Sequence, residues 1–165
     1  MLLNLSRLNL KAPYPLWPGK RLNEFQFKTD YGVTYNVSFF ENQLIWDKDV
    51  YEFAILPLGE WQSSPNDKKL KQTVIAVIEE FFLEKPNVLL YQCETGDSKQ
   101  AMRARLFQRW FDDYKYKEKY FVKVVVLLDE NVKNYDAILL KRNNPHFDEI
   151  IEQFDKFVVE MSQKP

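Results

Sequence analysis

From Glu24 to Phe39 the apolar residues fall at every second position, and no other feature narrows the fold as much. Phe25 and Phe27 alternate with Glu24, Gln26 and Lys28. After the turn signal Asp30-Tyr31-Gly32, the residues Val33, Tyr35, Val37 and Phe39 alternate with Thr34, Asn36 and Ser38. Period two sends one set of side chains to each side of a strand, so the segment predicts a β-hairpin with one buried face.

The rest of the chain adds helices to this sheet. A third strand spans Tyr51–Leu56 and is closed by Pro57 and Gly59. Asn66 or Asp67 is placed to cap a helix running to about Glu84, whose stripe is Leu70, Val74, Val77, Ile78, Phe81 and Phe82. Val88–Gln92 is a short apolar strand, and a second helix is expected over about 98–114. Phe121–Leu128 is apolar except at Lys123 and reads as a central strand, with Tyr135–Lys141 returning beside it. Asn144 and Pro145 open a last helix whose core stripe includes Phe147, Ile150, Phe154 and Phe157. The order is β-β-β-α-β-α-β-β-α. That is an α+β fold with a mainly antiparallel sheet of about six strands and three amphipathic helices. Residues 1–20 read as an N-terminal arm, because Pro13, Pro15 and Pro18 oppose regular structure there. Residues 21–165 read as a single domain, a length that buries a core without disulfides.

Composition weighs against several function classes. The formal net charge is −1, where a dedicated nucleic-acid binder is usually strongly basic. Only four glycines are present, too few to favour a Gly-rich phosphate cradle. Cys93 is the lone cysteine and fits a reducing compartment; with the lone histidine, His146, it supplies too few soft ligands for a zinc site. No apolar run approaches a membrane span, and the interrupted N-terminus does not resemble a secretory leader, so the expected location is the cytoplasm. No cofactor is indicated.

Charge is unevenly spread. From Lys99 to Lys123 there are eight basic and three acidic residues, a local balance of +5, which leaves −6 for the remainder. A strand ends near Cys93, a loop with one glycine follows, and a helix opens beside Ser98 and Lys99. Free N–H groups and the helix dipole favour an anion at such a place. Arg103, Arg105 and Arg109 lie on the helix. Lys115, Lys117 and Lys119 follow, interleaved with Tyr116 and Tyr120, a pattern that suits phosphate contacts with base stacking. The same residues also read as a capped surface helix. Asp97 and Gln100 have capping-box spacing, Leu106, Phe107, Trp110 and Phe111 make a core stripe, and Arg105, Arg109 and Asp112 share the solvated side, where ion pairs are common.

Tyr-Gly-Val-Thr-Tyr-Asn-Val-Ser-Phe at 31–39, Cys-Glu-x-x-Asp at 93–97 and Arg-x-Arg-Leu-Phe-x-x-Trp-Phe at 103–111 resemble a small uncharacterised bacterial family of unknown function. The resemblance spans about residues 20–160. It implies a bacterial cytosolic source and brings no activity with it.

Other chemistry is weaker. Cys93 would need a base, and His146 sits on a different element. The carboxylate pairs Asp47/Asp49, Asp112/Asp113 and Asp129/Glu130, with Glu94, offer oxygen ligands. Of these, Glu94, Asp129 and Glu130 end predicted strands, where metal nucleases gather such groups and where turns gather them too. Three functions follow as expectations. The first is a non-enzymatic interaction or accessory subunit of antitoxin, immunity or defence-system type with a protein partner, since aromatics and arginines are what interfaces use. The second is a nucleic-acid binder or metal-dependent nuclease using residues 99–123. The third is a small-ligand sensor with a pocket between sheet and helices.

Overall fold

The computed structural model describes residues 2–59, 66–92, 100–129 and 132–163, with the backbone alone for 100–104, 129 and 132. The elements are α1 (Leu5–Leu8), β1 (Trp17–Pro18), β2 (Glu24–Lys28), β3 (Thr34–Glu41), β4 (Val50–Pro57), α2 (Lys68–Phe81), β5 (Val88–Gln92), α3 (Gln100–Asp113), a 3-10 turn (Lys117–Lys119), β6 (Tyr120–Asp129), β7 (Val132–Lys141) and α4 (Phe147–Ser162). The fold is α+β with a mainly antiparallel sheet, in the strand order β1-β2-β3-β4-β5-β7-β6. Backbone contacts divide the chain into two compact units, residues 1–40 with 53–85 and residues 41–52 with 86–165. Among the described residues, no helix is long and apolar enough to cross a membrane.

In the first unit the period-two hairpin forms as expected. β2 and β3 pair antiparallel with Phe25 opposite Val37 and Lys28 opposite Thr34. Their turn needs Gly32 at φ 80°, a backbone conformation that a Cβ makes costly. Phe25, Phe27, Val37 and Phe39 are buried, and Phe39 stacks on Phe81 of α2 at 5.0 Å between ring centres. Asp67 is the α2 cap: its Oδ1 accepts from Lys69 N at 3.0 Å and Leu70 N at 3.2 Å.

The first twenty residues differ from the expected arm. They hold a helical turn and a two-residue strand, and Leu3, Leu8, Tyr14 and Leu16 are buried in the first unit. Side chains do the work that the prolines deny the backbone. Asn9 Oδ1 accepts from Leu16 N at 2.9 Å while its Nδ2 donates to Leu16 O at 3.0 Å. Tyr14 donates its hydroxyl to Asp67 Oδ2 at 2.8 Å. Pro18 sits in β1, the first strand of the sheet order, where a missing N–H is tolerated. This strand raises the count from the expected six to seven. Arg7 of α1 forks onto Glu80 of α2 through Nε at 2.9 and 3.1 Å and also through Nη2, the arrangement a side chain as buried as Glu80 requires.

In the second unit β7 is central, with β5 on one side and β6 on the other, both antiparallel; Leu140 lies opposite Val88 and Phe121. The core is Val50, Val88, Ile138, Leu140, Ile150 and Phe154, with Phe121, Val125 and Phe157 packed against it. The apolar run expected as a central strand is therefore the outer one. Strand order comes from long-range pairing, which a continuous apolar pattern does not encode. Helix α4 begins two residues later than expected. Asn144 makes a turn instead of the cap, its Oδ1 accepting from His146 N at 2.8 Å and its Nδ2 donating to Pro86 O at 3.0 Å.

Candidate functional site

The described part of the basic segment runs from α3 through the 3-10 turn, and its neighbours temper its chemistry. Arg105, Arg109, Lys115, Lys117 and Lys119 are all exposed. Asp112, Asp113 and Glu118 are exposed among them, five basic groups against three acidic. The ammonium groups of Lys115 and Lys119 lie 4.9 and 5.0 Å from the centre of the Tyr116 ring. The ring that would stack a base is thus already engaged by two cations of its own chain. Asp112 accepts a hydrogen bond from Gln108 at 3.1 Å. The stripe of α3 is half-buried: Phe107 stacks on Tyr91 of β5 at 4.9 Å, while Leu106 is 39% exposed. Ser98, Lys99, Cys93, Glu94 and Glu130 lie outside the described residues, and of Arg103 and Asp129 the backbone alone is described. Among the described residues, no cluster of three or more His, Cys, Asp or Glu is arranged to hold a metal. His146 packs at a tilt against Trp46 with ring centres 5.3 Å apart, and its Nδ1 is 3.5 Å from Glu149 Oε2.

Two features lie apart from the residues singled out above as functional. One is the outer edge of β6. Among the described residues, β6 pairs with β7 and with no other strand. Its odd-numbered residues turn toward α4: Phe121 meets Phe147 edge-on at 5.4 Å and Lys123 Nζ pairs with Asp155 Oδ1 at 2.6 Å. Its even-numbered residues turn to the opposite face, where Val126 is 51% and Leu128 68% exposed. Lys123 is the only charge on the first nine residues of a ten-residue strand. The run of valines and leucines, read as a mark of burial, was the signal available in the sequence.

The other is a cavity of about 180 Å³ formed within the second unit by β4, β5, β6, β7, the 42–45 loop and α4. Leu44, Leu90, Leu127, Phe154, Phe157 and Met161 make its apolar wall; Glu52 and Asp136 are the charged groups that line it. Burial, with a smaller push from the Glu52 charge, raises the Asp136 carboxyl to about 6. In sequence Asp136 is the sole acid of β7 and directly precedes the apolar run Ala-Ile-Leu-Leu, which is the pattern that could have singled it out.

No curated protein and no solved structure matches the chain. A family model does match, over residues 66–156, and its description is a family of unknown function (DUF6169). The match runs from the cap of α2 into α4 and takes in both the 93–97 and 103–111 motifs, with the hairpin motif outside it. It covers more than half of the chain, and the protein belongs to this family of unknown function, DUF6169.

Proposed function

We propose that the protein is a non-enzymatic interaction subunit that receives an extended segment of a partner protein along β6. The observation that carries this reading is an apolar strand whose outer edge pairs with no other strand among the described residues. Natural sheets blunt such edges with charges, prolines, bulges or covering elements. Here Lys123 is drawn to Asp155, and Val124–Leu128 carries no charge at all. An added strand would pair with the outward N–H and C=O groups and would cover Val126 and Leu128. Complete burial of a Val or Leu contributes about 1.5–3 kcal/mol. Covering about half of one and two thirds of the other is then worth about 2–3.5 kcal/mol, about two and a half powers of ten in affinity at the upper end. The reading extends to an accessory protein of antitoxin, immunity or defence-system type in the bacterial cytoplasm, a reducing compartment that the lone cysteine suits.

The test is affinity capture from the native host with the wild type and with the double variant Val126→Lys/Leu128→Lys. Both positions are exposed, so the variant should fold. A stoichiometric protein held by the wild type and lost from the variant supports the proposal. Failure to recover one, or equal recovery by both, rejects it.

Nucleic-acid binding is the second reading, favoured by the exposed Lys115, Lys117 and Lys119 close together. Retention of DNA or RNA on a filter at low salt, falling steeply as salt rises, would support it, and added Mg²⁺ or Mn²⁺ tests cleavage in the same assay.

A further inference from the structure

The cavity of the second unit is built unlike a filled core and unlike a polar surface hollow. Aliphatic and aromatic side chains supply most of its wall, and Asn42 and Gln92 add neutral hydrogen-bonding groups. Among the described residues, two carboxylates line it and no basic residue does. Several other acids of the molecule are partnered. Glu80 is held by Arg7, Asp155 by Lys123, and Asp67 by a helix start and the Tyr14 hydroxyl. Asp136 has no side-chain hydrogen bond and no ion pair among the described residues, although its apolar surroundings make a partner more valuable there. Glu52, which faces the same space, can only repel it. A partly buried anion in an apolar hollow, with a second negative charge beside it, has no counter-charge among the described residues.

We propose that this cavity binds a small organic cation, an ammonium on a short apolar body, with Asp136 as the counter-charge and Glu52 drawing the cation in. Size fits this class: an apolar cavity of about 150 Å³ accommodates benzene, and the present one is about 180 Å³. That excludes nucleotides and admits an amine of benzyl dimensions. The apolar body would lie against Phe154, Phe157 and Leu90, whose rings and methyl groups gain from covering it. The ammonium would reach Asp136 and attract the aromatic faces as well. The cavity is independent of the exposed Val126 and Leu128, which form no part of its wall.

Benzylammonium, benzyl alcohol and benzoate, alike in shape and different in charge, are the probes. Titration is followed by backbone amide shifts of the full chain in amine-free phosphate buffer at pH 7.5. Benzylammonium should saturate at millimolar concentration or below, with shifts at Gln92 and Ala137. It should bind at least about tenfold more tightly than benzyl alcohol, as expected of a hydrogen bond to a charged group, and benzoate should not bind. Asp136→Asn should erase the preference for the amine, and Glu52→Gln should weaken it a few-fold, as befits an exposed charge. Equal affinity for the amine and the alcohol would overturn the proposal by showing a cavity that takes apolar bodies without regard to charge. So would the absence of saturable amine binding, or an unchanged preference in Asp136→Asn. The comparison of the three probes on the wild type decides the matter even if a variant does not fold.

Discussion

Replacing Asp136 by Asn should stabilise the protein at neutral pH, an unusual expectation for a polar change inside a sheet. The carboxyl moves from its ordinary 3.8 up to about 6 on folding. A group whose folded pKa is raised holds its proton more tightly in the native state. Folding is therefore unpenalised by this residue below pH 3.8, and it loses stability as the pH climbs through 6. Each tenfold change in proton affinity is worth about 1.4 kcal/mol, so the full penalty at pH 7.5 would be about 3 kcal/mol. Asp136 is still partly open to solvent, and screening reduces this to about 1–2 kcal/mol. Asn keeps the shape and removes the charge. Urea unfolding of both proteins, in amine-free buffer at pH 7.5 and pH 4.5, measures the difference directly. The variant should be more stable by about 1–2 kcal/mol at the higher pH, and the advantage should shrink toward pH 4.5 as wild-type Asp136 takes up its proton. An Asn variant no more stable than wild type at pH 7.5, or one with the same advantage at both pH values, would refute the reasoning.

Three other outcomes are expected. Asp67→Ala removes the acceptor for two amide groups at the start of α2 and the partner of Tyr14, and it should cost about 1–2 kcal/mol in chemical denaturation. Phe154→Ala empties a position that is 2% exposed against Ile150 and Val88, and its cost should be about 3–5 kcal/mol. Burial and the charges of Asp67 and Asp30 push the Tyr14 hydroxyl up to about 12, so an ultraviolet pH titration of the folded protein should show a tyrosine ionising there that is absent from Tyr14→Phe.

Much of the fold is legible in the residues because its signals are local. The hairpin is written in a two-residue period, α2 in a cap at Asp67 and a stripe ending at Phe81, and β5 in the apolar run Val88–Tyr91, bounded by Pro86-Asn87 and the polar run from Gln92. The N-terminal segment shows where local reading stops. Three prolines argue correctly against a long element, but the buried Leu3, Leu8 and Leu16 depend on Asn9 and Tyr14 reaching distant backbone and side-chain partners. The candidate sites divide the same way. The exposed lysines around Tyr116 are visible as a charge excess, whereas the engagement of that ring by Lys115 and Lys119 is a matter of geometry.

The apolar run Phe121–Leu128 draws the boundary most sharply. Its composition requires a strand, because β-branched residues in unbroken sequence pack best on a pleated surface. It is silent on which strands lie beside it. That choice belongs to pairings summed over the whole sheet, and it puts β7 in the middle and β6 at the rim. Asp136 and Glu52 follow the same logic. Each residue is plain in the sequence, but their meeting in one cavity depends on β4 and β7 being brought together. Periodicity and capping act over a few residues and leave a mark there. Strand order and shared cavities arise from many weak contacts between distant segments, and no short stretch of chain records them.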